Sequence, residues 1–100
     1  MQPFKRGLEL LNQLKPITFR WKADNILDLG FGAEDVAKAE PLLVTHNQNG
    51  EIEGVKYERI SAVLVNAVKE QQEQIKRQQS EIESLKKLVC RRNRRAAVCK

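Results

Sequence analysis

Residues 58–89 read ERISAVLVNAVKEQQEQIKRQQSEIESLKKLV, and this stretch decides the fold because its apolar residues recur along one unbroken helix in two registers. Taking Val68, Ile75, Ile82 and Val89 as heptad position a places Leu64, Gln71, Gln78 and Leu85 at position d, the alternating spacing of a coiled-coil seam. So narrow a stripe does not suit a helix laid on a globular core; it suits one that packs against copies of itself. β-Branched residues at a, with Leu at the ends of the d series, are compatible with a dimer. A buried Gln, however, must find hydrogen-bond partners or destabilise the seam, and symmetry-related Gln side chains around a three-fold axis satisfy one another. Glu81 at g and Lys86 at the following e add an attraction between parallel helices. The expected assembly is therefore a parallel homotrimer, with a dimer second, whose interface comprises Leu64, Val68, Gln71, Ile75, Gln78, Ile82, Leu85 and Val89.

Working outward, the residues before this helix make a small α+β head over 1–57, followed by the coiled-coil helix over 58–92 and a tail over 93–100. A head of this size buries too little surface to be stable alone, so the helix and its partners must contribute. Gly7 to Leu14 puts Leu8, Leu11 and Leu14 at helical spacing until Pro16 ends the segment. Ile17 to Lys22 alternates apolar with polar residues, which predicts a strand burying Ile17, Phe19 and Trp21 on one face. A turn at Ala23-Asp24-Asn25 leads to a second strand, Ile26 to Phe31. Ala33 to Ala39 is helix-forming, with Ala33, Val36 and Ala37 on one side and Pro41 at its end. Strands at Leu42 to Thr45 and Ile52 to Tyr57 flank a polar loop in which Asn49-Gly50 supplies the positive dihedrals of a hairpin turn.

The chain has 18 Lys and Arg against 13 Asp and Glu, and its net charge of +5 resides in Arg91, Arg92, Arg94, Arg95 and Lys100. Cations at a helix C-terminus favour its dipole and stay solvated, and that reading is preferred to contact with nucleic acid, which is not an expected partner. A nucleic-acid-binding coiled coil using the Arg cluster stands as the competing function. No apolar run is long enough to cross a bilayer, so no membrane association is expected. Met1-Gln2-Pro3-Phe4 reads as the start of an excised piece rather than of a natural protein. Cys90 and Cys99 with a single distant His cannot form a four-ligand zinc site. In a continuous helix their nine-residue separation would span about 13 Å, too far to bridge. A disulfide requires the helix to break near Asn93 and implies an oxidising compartment; two free thiols are the equal alternative.

No catalytic residue, metal site or cofactor is expected. Glu34 and Asp35 are neighbours pointing about 100° apart on a helix, His46 sits in a polar turn with no second ligand, and Asp28 reads as an edge-strand acid. Ser80 with Lys76 and Ser84 with Lys87 have helical spacing. A Ser-Lys nucleophile, however, needs a desolvated lysine, and these lie off the seam.

Four stretches then acquire a common meaning: Leu14-Lys15-Pro16-Ile17-Thr18-Phe19-Arg20-Trp21-Lys22, Gly30-Phe31-Gly32-Ala33-Glu34-Asp35-Val36, Glu40-Pro41-Leu42-Leu43-Val44, and Val55-Lys56-Tyr57 continuing through Ala62 to Glu70. In order and spacing they resemble the C-terminal intramolecular chaperone domain of phage endosialidases, neck appendages and tail fibres, also present on some bacterial surface proteins. The chain departs from the family pattern at Gly32, usually Ile, and at Glu34 and Asp35, usually Gln-Glu. The resemblance implies a module that trimerises and registers an upstream fibre domain of the same polypeptide and is then released by a Ser-Lys dyad. It implies a location on a virion tail fibre or a bacterial surface. The Ser-Asp-x-x-Leu-Lys motif carrying that dyad would fall just before Met1, and Lys5 lies beyond it, so residues 1–100 are expected to be inactive.

Overall fold

A computed structural model describes residues 1–100. The elements run α1 (Leu8–Leu11), β1 (Pro16–Arg20), β2 (Leu27–Phe31), α2 (Ala33–Ala39), a 3₁₀ turn (Pro41–Leu43), β3 (Val44–His46), β4 (Ile52–Val55), α3 (Tyr57–Arg92) and a last 3₁₀ turn (Ala97–Cys99). The strands form two separate antiparallel hairpins, β1 with β2 and β3 with β4. The α+β class and the long C-terminal helix are thus present. Two compact units are distinguished, Met1–Val68 and Lys69–Lys100, so about three turns of α3 belong to the first.

In the first unit, the core consists of Leu10, Leu14, Val36, Leu43, Val44, Ile60 and Val63, with Ala67 also buried. These side chains come from α1 and the turn after it, α2, the 3₁₀ turn, β3 and the start of α3, so the helices and the second hairpin make most of the core. α2 follows from its composition: Glu34 and Asp35 in the first turn and Lys38 in the last both complement the helix dipole. Glu40 then leaves helical dihedrals, and its carboxylate accepts the Leu42 N–H at 3.3 Å, capping the 3₁₀ turn that opens with Pro41. α3 holds no glycine or proline from Tyr57 to Arg92, so nothing in its backbone chemistry interrupts it.

Several expectations are corrected. The first helix shrinks to Leu8–Leu11, because its continuation tightens into 3₁₀-type bonds, Gln13 N–H to Leu10 O and Leu14 N–H to Leu11 O. The face of β1 predicted to be buried is open: Ile17 is 41% and Trp21 51% exposed, and only Phe19 is half-buried. Within the chain the Tyr57 side chain meets this face at Gly30, and Ile17 and Trp21 stay exposed beside it. Leu42 and Leu43 lie in the 3₁₀ turn rather than in a strand, since Pro41 fixes a helical φ at its start. In the second hairpin only Gly50, at φ 80°, takes a positive dihedral. Asn49 is held instead through its N–H on the Asn47 side chain, which also accepts from Glu51 N–H. The positive non-glycine dihedral is at Asn25 (φ 59°), in the turn between β1 and β2.

In the second unit, α3 ends at Arg92. The helix breaks at Asn93 without a left-handed residue there. The Asn93 N–H still bonds Val89 O at 2.8 Å, while its side-chain oxygen accepts the Arg95 N–H at 3.2 Å and its carbonyl accepts from Ala96. An Asx-type turn closes the helix instead of a left-handed cap. Cys90 and Cys99 are joined as a disulfide, with Cα atoms 5.8 Å apart.

Candidate functional site

The start of α3 carries two distinct apolar faces. Ile60, Val63 and Ala67 are buried in the head, on heptad positions other than a and d. Leu64 and Val68, roughly a quarter of a turn away, face outward. In the second unit Ile75, Ile82, Leu85 and Val89 are likewise exposed, Ile75 by 56%, and Gln71 and Gln78 are exposed as well. Leu88 and, nearer the head, Val65 extend the exposed apolar surface beside these positions. Neither Glu81 nor Lys86 has an ion-pair partner within the chain, whereas Lys76 meets Glu73 at 3.7 Å.

The head fixes the first turns of α3 from two sides. The Asn66 side-chain amide donates to the carbonyls of Phe4 (2.7 Å) and Arg6 (2.9 Å), tying the N-terminal segment to the helix. Arg6 in turn donates to both carboxylate oxygens of Glu9 (2.8 and 3.2 Å), to Ala39 O (2.7 Å) and to Glu40 (3.1 Å). The bonds to Glu9, chiefly, and to Glu40 raise the Arg6 pKa further above its already high value, and the Arg6 bond lowers that of Glu9. Tyr57 closes the other side. Its hydroxyl accepts the Phe31 N–H at 3.2 Å, its ring lies 6.0 Å from that of Phe31, and Gly30 leaves the space the hydroxyl occupies.

Sequence reasoning did not single out Asn66, Arg6 or Tyr57 for these tasks. Asn66 had a signal available, since a short amide side chain is disfavoured inside a helix unless it has work to do there; Arg6 had none. Asp28, read as an edge acid, accepts the Trp21 indole N–H at 2.9 Å and the Leu29 N–H at 2.8 Å. Phe19 stacks edge-on against the same indole, with ring centroids 5.0 Å apart. His46 is exposed at the end of β3, and no group of three or more His, Cys, Asp or Glu side chains is placed to hold a metal ion. No helix is long and apolar enough to cross a membrane.

This is a head of short hairpins and small helices that braces the first turns of a long helix. Residues 1–45 match the family model of the chaperone of endosialidase, Peptidase_S74. That is the family the sequence resembles. The endosialidase-chaperone match covers α1 through the start of β3, and with them three of the four stretches that carry the resemblance; the fourth, Val55 to Glu70, lies beyond the matched residues. Comparison with curated proteins and with solved structures returned no match.

Proposed function

We propose that the chain is an intramolecular chaperone module that assembles as a parallel homotrimer and thereby sets the register of a fibre or tailspike domain preceding it in the same polypeptide. The observation that carries this reading is the apolar series on α3 that the chain itself leaves uncovered. Leu64, Val68, Ile75, Ile82, Leu85 and Val89 share the a and d positions of one heptad frame. These side chains are about half exposed, so covering the rest of each is worth about 1 kcal/mol, and the head's own contacts use Ile60, Val63 and Ala67 instead. The match of residues 1–45 to the endosialidase-chaperone family model supports the role.

The physical benefit lies in the order of events. Long-range β pairing of a fibre is slow and exposes aggregation-prone edges. A trimer formed by local helical contacts raises the effective concentration of the attached chains. An upstream fibre would approach through residues 4–6, which Asn66 fixes against α3, and the exposed apolar side chains of the first hairpin, Ile17 and Trp21 on one face and Leu27 and Leu29 on the other, offer it contacts. Release would follow from a Ser-Lys dyad upstream of Met1. The place of action is a virion tail fibre or a bacterial surface.

Sedimentation equilibrium tests the assembly: a trimer is expected at micromolar concentration, and a monomer or an antiparallel dimer would overturn the reading. Adding the upstream segment should yield cleavage before its serine, abolished when that serine becomes alanine.

A further inference from the structure

The second unit carries charge that the proposed assembly does not use. No acidic side chain follows Glu83, while Lys87, Arg91, Arg92, Arg94 and Arg95 precede the final Lys100. None of these cations has an ion-pair partner in the chain. On an open tail they would move apart to relieve their repulsion. The Cys90–Cys99 bridge prevents this by bringing the two ends of the loop to a Cα separation of 5.8 Å, and the Asn93 turn folds the chain between them. Lys87, Arg91 and Arg94 then line one open concavity of about 500 Å³ together with both cysteines.

The helix dipole accounts for Arg91 and Arg92, in the last turn of α3, but not for the whole arrangement. Its field fades within the last turn, yet Arg94 and Arg95 lie beyond Arg92, where α3 ends. We propose that the disulfide-closed loop binds duplex nucleic acid through its phosphate backbone, without reading sequence. Duplex DNA carries one charge per about 1.7 Å of its axis, whereas an extended acidic peptide offers at most one per about 3.3 Å. The denser array is the one that can meet this many clustered cations together. Guanidinium forks also match phosphate oxygens in pairs. No aromatic side chain follows Tyr57, so the loop lacks the stacking platforms with which proteins hold single strands, and the Asn93 side-chain oxygen is already engaged by Arg95.

The test is fluorescence anisotropy of a labelled duplex of arbitrary sequence, titrated with the whole chain between about 50 and about 200 mM salt. Affinity should fall steeply with salt and be indifferent to the duplex sequence. Joint Arg91→Gln and Arg94→Gln substitution should flatten the log–log salt slope by about 2 while the helical circular dichroism stays unchanged. Absence of binding at the lowest salt, an unchanged slope in the variant, marked sequence preference, or equal competition by poly-glutamate would each overturn the proposal. Reduction, or joint Cys90→Ser and Cys99→Ser substitution, should weaken binding about fivefold, because the closed loop pre-organises its charges. Unaltered affinity on reduction would overturn the part assigned to the bridge.

Discussion

Gly30 is the position where a single methyl group matters most. A Cβ there would run into the Tyr57 hydroxyl and come within 3.4 Å of the Phe19 ring, so Gly30→Ala must push Tyr57 off the Phe31 N–H. Overpacking of this kind costs about 1–3 kcal/mol, read as a lowered denaturation midpoint. Tyr57→Phe alone should cost about 1 kcal/mol for the lost hydrogen bond. Combined with Gly30→Ala it should recover part of the loss, because the colliding oxygen is gone; strict additivity in that double-mutant cycle would contradict the contact. Asp28 gives the pH test. The Trp21 indole bond, then the Leu29 amide bond, lower its pKa. A carboxyl with a depressed folded pKa contributes stability that is present above its unfolded pKa and is lost as the pH falls through the folded one. The first hairpin should therefore loosen only in acid below the ordinary carboxylate range. In Trp21→Phe, the Asp28 midpoint measured by carbon NMR should move back up toward the ordinary value.

At the scale of elements, α3 shows which information a sequence holds. Its length is legible because no glycine or proline interrupts the residues from Tyr57 to Arg92. α2 is legible from Ala33 to the Pro41 stop. Burial on the first hairpin was not, since alternation in Ile17-Thr18-Phe19-Arg20-Trp21 says which residues share a face but not whether anything covers it. The same holds at Ile60, Val63 and Ala67: they lie off the a/d frame, and only the folded head reveals them as a second contact face. The two faces predict opposite failures. Ala67→Glu should disrupt the head, where a buried carboxylate has no partner, and abolish its hairpin amide protection. Ile75→Asp should leave that protection in place and dissociate the assembly, as followed by light scattering. The Asn66 bonds predict a third effect. Asn66→Ala should release residues 4–6 and raise the rate of tryptic cleavage after Lys5 and Arg6 by roughly tenfold, the equivalent of about 1.4 kcal/mol.

For the whole molecule, association adds to the stability of the folded chain if the seam is the interface. The thermal midpoint should then rise with protein concentration and lose that dependence in Ile75→Asp, a comparison that scanning calorimetry at several concentrations makes directly. The division of labour along α3 has a practical corollary. Every head contact made by the helix in the core and through Asn66 is complete by Ala67, so the polypeptide after Glu70 is, to the head, an exchangeable part. A zipper of chosen valency spliced there in the same heptad phase should give a hybrid whose head is unaltered and whose copy number is set by the graft. The helix is thus a place where a fibre's symmetry could be rewritten by cutting and joining a single rod.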